Sequence, residues 1–282
     1  QIGDDIYLTD TSTPENKKVG IGTTAPEFKL TLENDAGILA IGQFGSGASV
    51  PIAGGKSKFI WYPRKAAIRA GHVYAGNTAW HDANIGNHSV AFGRNNKASG
   101  NGSTIAGGGE NTAGGTYSAV CGGIDSQSNG DFSTSLNLAG IQTIANGDHS
   151  VCIGVENNCS GSYTVAFGKG NDSIGDFATV LGGENGNSAT GTHATILGGA
   201  TNVSDGNYST ISGGFQNTAS ADYATIRGGA DNQASGIYSM IGGGLNNQAG
   251  GAYATISGGA GNYAIGDYTV VGGGTNNGSD EA

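Results

Sequence analysis

The sequence is poor in charge, proline and long apolar runs, and each shortage excludes a class of protein. Charged residues are only 12% of the 282, and residues 70–282 carry four basic against fifteen acidic side chains. This acidic excess disfavours nucleic acid and anionic membrane surfaces as partners. The four prolines are too few for a collagen helix. Because no run approaches 18 apolar residues, we predict no membrane-inserted helix.

Cysteine is equally scarce. The chain has three, Cys121, Cys152 and Cys159. They form neither the even-numbered pattern of a disulfide framework nor the paired Cys-x-x-Cys motif of a zinc site. We therefore predict small buried thiols, while the sequence leaves the disulfide state of Cys152 and Cys159 open.

Glycine is what the sequence has in excess, with 55 residues, about a fifth of the chain. Each glycine inside a helix costs roughly 1 kcal/mol, so a helical fold is excluded. Val, Ile, Thr and Tyr still occur throughout, and these residues favour strands. The composition therefore predicts many short strands joined by tight turns.

An internal repeat organises this composition from residue 88 onward. Each unit begins with a residue that we call the anchor, and anchors recur every 14 to 17 residues. Four mostly small or β-branched residues follow the anchor, and glycine occupies the fifth position in twelve of thirteen units. The anchors are His88, Gly102, Tyr117, Phe132, His149, Tyr163, Phe177, His193, Tyr208, Tyr223, Tyr238, Tyr253 and Tyr268.

The repeat length matches one coil of a β-solenoid. A short strand, a glycine turn, a second short strand and another turn use about 15 residues. Stacked at ~4.8 Å, about thirteen such coils form an all-β solenoid roughly 60 Å long. Equivalent side chains then form ladders, and stacked asparagines can hydrogen-bond from coil to coil. The predicted structural ladder is Asn202, Asn217, Asn232, Asn247, Asn262 and Asn277.

Three units carry apolar residues on the opposite face of the first strand. In most units the apolar residue is third after the anchor, as in Ile211. In these three units the apolar residues are second and fourth after the anchor, as in Val90 with Phe92 and Val165 with Phe167. These two sets point to opposite faces because strand side chains alternate. A strand buried on both faces needs a neighbour beyond its own coil. We therefore predict self-association, as an intertwined or side-by-side homotrimer.

The units that carry these residues resemble a known family. The segments HSVAFG (88–93), HSVCIG (149–154) and YTVAFG (163–168) resemble the SVAIG repeats of YadA-like heads of trimeric autotransporter adhesins. The resemblance covers residues 88–282 and implies a left-handed parallel β-roll with three chains about one axis. Most units here differ, with a T-I-x-G-G pattern and 15 residues. Since no heptad stalk or anchor barrel is recognisable, the family's anchoring is not carried over.

The composition changes before residue 88, where all four prolines and both tryptophans lie. Residues 19–32, VGIGTTAPEFKLTL, resemble a segment of phage tail-fibre-like and related bacterial surface fibre proteins. We predict that residues 1–45 form a strand segment that docks on the next subunit and joins trimers head to tail, through Phe28, Leu30 and Leu32. Residues 46–87 are predicted to form a cap over the open end of the solenoid of residues 88–282, using Trp61, Tyr62 and Trp80.

Residues that could carry chemistry form no known catalytic motif. His72, His81 and Asp82 are the residues that most resemble a metal-binding cluster. The aspartates that precede several anchors would suit calcium. The calcium-binding solenoid motif is absent, so we predict no cofactor and no enzyme activity. The tyrosine anchors either staple coils together or bind a surface glycan. This predicted surface ladder is Tyr208, Tyr223, Tyr238, Tyr253 and Tyr268.

Together these patterns predict an extracellular or cell-surface structural fibre, or a filament subunit with an adhesive role. The alternative is a phage tail-fibre-like receptor-binding protein that recognises a host glycan. Both hypotheses share the solenoid, and they differ in whether its surface binds a specific ligand.

Overall fold

The computed structural model describes residues 6–9, 18–21, 30–32, 38–49, 55–138, 142–183 and 185–279. The chain divides into two compact units, residues 1–43 and residues 44–282. The described residues of the first unit form three strands, β1 (Ile6–Thr9), β2 (Lys18–Ile21) and β3 (Leu30–Leu32). Strand β2 pairs antiparallel with β1 and parallel with β3.

The second unit starts with an antiparallel hairpin of β4 (Lys56–Tyr62) and β5 (Ala67–Val73). A 3₁₀ turn at Pro63–Lys65 joins the two strands, and a second 3₁₀ turn lies at Asp82–Asn84. Within the described residues these turns are the only helical segments. All other regular structure there is β-strand, as the glycine content predicts.

The repeat forms two strands per unit. In chain order they are β6 (Val90–Arg94), β7 (Lys97–Ala98), β8 (Thr104–Ile105), β9 (Thr112–Ala113), β10 (Ala119–Val120), β11 (Gln127–Ser128), β12 (Thr134–Asn137), β13 (Ile144–Ala145), β14 (Val151–Val155), β15 (Asn158–Cys159), β16 (Val165–Lys169), β17 (Asp172–Ser173), β18 (Thr179–Leu181), β19 (Ser188–Ala189), β20 (Thr195–Ile196), β21 (Val203–Ser204), β22 (Thr210–Ile211), β23 (Thr218–Ala219), β24 (Thr225–Ile226), β25 (Gln233–Ala234), β26 (Met240–Ile241), β27 (Gln248–Ala249), β28 (Thr255–Ile256), β29 (Tyr263–Ala264), β30 (Val270–Val271) and β31 (Gly278–Ser279).

These strands alternate between two parallel sheets. The even-numbered strands from β6 to β30 continue from the hairpin as a 15-stranded sheet, which we call the anchor sheet. The odd-numbered strands from β7 to β31 form a 13-stranded second sheet. Twelve full turns separate His88 from Tyr268, and the last unit adds one strand to each sheet. The predicted all-β parallel solenoid is confirmed.

The core between the two sheets is only one side chain thick on each side. Most strands have two residues, of which one faces inward. The anchor sheet contributes the third residue after each anchor, such as Ile211 and Ile226, and the second sheet contributes Ala219 and Ala234. All four are fully buried. So thin a core leaves room for small residues and brings the two backbones close together.

The close approach of neighbouring coils explains the glycine that precedes most anchors by two residues. A Cβ atom at Gly206 would collide with the carbonyl oxygen of Ala221 in the next coil. Gly214 serves the other turn, with φ of +98°, and a Cβ there would meet the carbonyl oxygen of Gly229. Both positions therefore need glycine, one for space and the other for space and conformation.

The cysteines depart from the expectation of buried thiols. Cys152 in the anchor sheet and Cys159 in the second sheet face each other within one coil and form a disulfide, with 5.9 Å between their Cα atoms. The two sulfurs meet because the core is so thin. Cys121 is a free thiol, but it is exposed. It stands fourth after its anchor, and that position points away from the core.

Candidate functional site

The predicted tyrosine ladder lies at the corner where each coil enters the anchor sheet. From Tyr208 to Tyr268 the ring centroids are 4.6–5.1 Å apart and the ring planes are within 7° of parallel. Ring contacts extend back to Tyr117 and stop at Gly102, which has no ring, and His193 is the one member that lies edge-on to its neighbours, Phe177 and Tyr208. We call it the aromatic ladder: Tyr117, Phe132, His149, Tyr163, Phe177, His193, Tyr208, Tyr223, Tyr238, Tyr253 and Tyr268.

Every residue of the aromatic ladder has left-handed backbone geometry, with φ between 54° and 61°. This conformation costs a non-glycine residue on the order of 1 kcal/mol. Stacking contributes about 0.5–1.5 kcal/mol per aromatic pair, which is enough to offset that cost. The backbone N–H at this corner is also hydrogen-bonded, since the N–H of Tyr223 donates to the carbonyl of Asn207 at 2.8 Å. The spacing of the anchors predicts the ladder but not this backbone geometry.

Where its rings are stacked in parallel on both sides, the aromatic ladder offers ring edges to solvent and keeps ring faces covered. Tyr223, Tyr238 and Tyr253 are about half exposed, yet each ring lies between two parallel neighbours. Desolvation in the stack, with charge repulsion from the neighbouring tyrosines, raises the pKa of Tyr223. A sugar that stacks on an aromatic residue needs a free face. The geometry therefore favours the coil-stapling role over glycan binding at this corner.

The recurring aspartates lie one residue before their anchors and bind backbone. The carboxylate of Asp222 accepts a hydrogen bond from the N–H of Asn207 in the preceding coil at 2.9 Å. Asp267 accepts one from Ala252 at 2.8 Å. These bonds satisfy N–H groups at the corner and give the aspartates a structural role. The same contact occurs at Asp131, Asp148 and Asp176.

The predicted asparagine ladder lies inside the opposite corner and is almost completely buried up to Asn262. The amide nitrogen of Asn217 donates to the carbonyls of Gly213 in its own coil and Gly229 in the next coil. Its oxygen accepts from both the backbone and the side-chain nitrogen of Asn232. The ladder also extends beyond the predicted residues, because Asn96, Asn111, Asn157, Asn171 and Asn187 make equivalent contacts with glycine carbonyls.

Two of the three predicted cap residues are buried at the N-terminal end of the solenoid. The indole N–H of Trp80 donates to the carbonyl of Asn96 at 3.2 Å, and the hydroxyl of Tyr62 donates to the carboxylate of Asp82. The bond from Tyr62 lowers the pKa of Asp82, against the opposing effect of partial burial. Trp61 is 37% exposed and lies on the outer face of the hairpin. It is therefore not part of the buried cap.

An arginine that the sequence pattern does not reveal closes the end of the core. Arg69 is fully buried and donates to the carbonyls of Ile68, Ser89 and Ala98 at 2.8–3.0 Å, and to the Ser89 hydroxyl at 2.7 Å. Burial lowers the pKa of Arg69 to about 10. Its inward position follows from its register beside Ala91, a buried core residue.

A polar cleft of about 260 Å³ lies where the loop after β5 crosses the first coils. The sequence gives no indication of it, because the lining residues come from that loop and two consecutive coils. Its side chains offer hydrogen-bond donors, acceptors and both signs of charge. The polar lining residues are Asn77, Thr78, Asn95, Lys97, Glu110 and Thr112.

Of the predicted docking residues, Leu30 and Leu32 lie in β3, and Phe28 lies outside the described residues.

In the described part of the chain no three His, Cys, Asp or Glu side chains are placed to hold a metal ion. No helix among those residues is long and apolar enough to cross a membrane.

No protein-family model matches this chain, and no curated protein matches it. What the structure defines is a class, a parallel β-solenoid with almost no helix in its described residues. Such a fold is compatible with a structural fibre. The relation to YadA-like heads remains a resemblance of short motifs.

Proposed function

We propose that the protein is a non-catalytic structural subunit of an extracellular fibre with an adhesive role. One observation carries the proposal: hydrogen bonds run along the solenoid axis in both sheets and in the asparagine ladder. A rod held by many parallel axial bonds resists extension and local unfolding, because each coil contacts its neighbours over two sheets.

The disulfide supports an extracellular location. Disulfides persist in oxidising compartments and are rare where thiols are kept reduced. The buried bond between Cys152 and Cys159 therefore fits a secreted or surface-exposed protein. The acidic charge of residues 70–282 fits a soluble surface that does not bind polyanions.

In this proposal three chains pack side by side, and the trimers join head to tail through residues 1–45. Two features support the arrangement: residues 1–43 form a compact unit of their own, and apolar side chains such as Phe92 and Phe167 are exposed on the solenoid. Deletion of residues 1–45 should leave trimers but abolish filaments. Filaments formed by the truncated protein would contradict the head-to-tail step.

Imaging of filaments from the source cells tests the fibre hypothesis directly. Antibody-labelled filaments with a regular axial repeat, absent when the gene is deleted, are the expected result. Labelling confined to a phage baseplate would reject the proposal in favour of a tail fibre. Attachment of cells to surfaces should decrease in the deletion strain and recover on complementation.

The second candidate function is recognition of a host glycan, and the polar cleft favours it. Hydroxyl groups of a sugar pair well with mixed donors and acceptors such as Asn77, Lys97 and Glu110. A glycan array should then show selective binding that Lys97→Ala removes. Gln233→Ala, an outward polar change on the second sheet far along the solenoid, is the matched control. Absence of any selective binding rejects this function.

A further inference from the structure

The outer face of the anchor sheet changes character along the solenoid. Because the third residue after each anchor points into the core, the fourth points outward. In the N-terminal coils most of these outward side chains are large and apolar, and all are exposed or only partly buried. The large ones are Phe92, Leu136, Ile153, Phe167, Leu181 and Leu197.

The hairpin continues this surface beyond the first coil. Phe59 pairs with Ala70 and through it with Phe92, so the three residues lie in one column. Phe59 is 75% exposed, and Trp61 stands beside it on the same face. We call the column from Phe59 to Leu197 the apolar stripe. It crosses ten strands and is therefore about 45 Å long.

The apolar stripe ends abruptly. The next outward residues in the same column are Ser212, Arg227, Gly242 and Ser257, which are polar, charged or lack a side chain. The pairing register does not change at this point, since the strands on both sides of the boundary pair in the same way. Strand pairing therefore does not require the boundary.

We infer that a second copy of this chain packs on the apolar stripe, and that the dry contact between copies ends between Leu197 and Ser212. The inference rests on the self-association in the proposed function and specifies its surface. Beyond Leu197 the face stays hydrated, because burying the charged Arg227 guanidinium without a partner is strongly unfavourable.

The repeat itself argues that the occupant is a second copy. A partner that interdigitates with ten consecutive rows must present side chains at the same spacing of about 4.8 Å. This solenoid has that spacing. Two columns of outward side chains, about 12 Å wide and 45 Å long, give roughly 540 Å² per copy. The pair would bury about 1,080 Å², which is just above the minimum of about 1,000 Å² for a specific protein interface.

Cys121 provides a native probe, because its thiol is free and lies midway along the apolar stripe. Its reactivity with a small thiol reagent is measured in the intact protein, with the molar mass determined by light scattering. We expect at least tenfold slower labelling in the oligomer than in urea. In a Cys121→Ser background, Ser257→Cys places the matched thiol in the same column beyond the boundary, and it should react at the rate of an exposed thiol.

Substitution gives a second, independent measurement. Phe167→Lys should dissociate the oligomer while the circular dichroism of the solenoid is kept, since this side chain is already 38% exposed. Ser257→Lys, the matched control, should leave the oligomer intact. In the Phe167→Lys monomer, Cys121 should become reactive.

Each outcome is decisive. Protection of Cys121 with free reactivity at position 257 supports the inference. Protection of both thiols shows contact along the whole face and overturns the boundary. An oligomer in which Cys121 reacts freely overturns the assigned surface but leaves self-association standing. A monomeric wild-type protein overturns the self-association in the proposed function, and this inference with it.

Discussion

Changing one buried asparagine to aspartate tests whether the asparagine ladder holds the coils together. In Asn232 the amide nitrogen donates to the carbonyls of Gly228 and Gly244 at 3.1 and 3.0 Å, and approaches the Asn217 oxygen at 3.0 Å. Its oxygen accepts two bonds from Asn247. Asn232→Asp keeps the shape and both accepted bonds but removes the donor group.

The size of the effect follows from these contacts. An amide nitrogen has two hydrogens, so the substitution leaves about two buried acceptors unsatisfied, at about 1–3 kcal/mol each. We expect a loss of about 2–6 kcal/mol in the free energy of unfolding. Burial and the facing carbonyls raise the pKa of the new carboxyl above its unfolded value. The variant is therefore least destabilised below pH 4, and the loss grows as the pH rises through the raised pKa.

Guanidinium unfolding at pH 4 and pH 8, with amide hydrogen exchange of the coils around residue 232, measures the loss. The control is Asn246→Asp, an exposed residue of the next coil whose φ of 54° aspartate accepts. It should change stability by no more than about 0.5 kcal/mol. If Asn232→Asp and Asn246→Asp have the same free energy of unfolding at pH 8, the asparagine ladder does not hold the coils together.

Three further predictions concern the corners, the cap and the disulfide. Gly236→Ala should lower the thermal midpoint, because its Cβ would strike a backbone carbonyl of the next coil, whereas Gly107→Ala has open space and should have little effect. Since the pKa of Asp82 is lowered in the fold, its contribution to stability is present above about pH 4 and lost below it, so Asp82→Asn should flatten the acid limb of an unfolding titration. Replacing Cys152 and Cys159 by Ala should cost about 2 kcal/mol in chemical unfolding, and an unchanged midpoint would contradict this.

The repeat makes most of the fold predictable from sequence. Equal spacing of anchors such as Tyr223 and Tyr238 fixes the coil length, and the β-branched residues that follow each anchor fix one strand. The inward position of Ile226 follows from alternation along that strand. These rules depend only on local sequence or on periodicity, so they can be applied without knowledge of tertiary contacts.

The remaining features depend on contacts between units, and periodicity does not encode them. The left-handed backbone at the tyrosine anchors arises because the corner bond and the stacked ring outweigh its local cost. An arginine is normally expected on the surface, and Arg69 is buried only because β5 pairs in register with the first coil. The sequence predicts Trp61 in the cap, but strand alternation in the hairpin turns this side chain to the outer face.

The disulfide stands beside the part of the solenoid where the ladders are weakest. Ser128 and Ser135 replace Ala and Ile in the core, so the apolar core ends at Val120 and resumes at Ala145. In the same region Ser126 and Thr143 replace asparagine in the ladder. Stability in a solenoid is approximately a sum over each coil and its contacts with neighbours, so these coils contribute less than the regular ones. A covalent bond between the two sheets in the next coil, from Cys152 to Cys159, limits how far an opening in this region can spread. A solenoid under axial load opens first at its weakest coil, and the covalent bond lies in the coil that follows it.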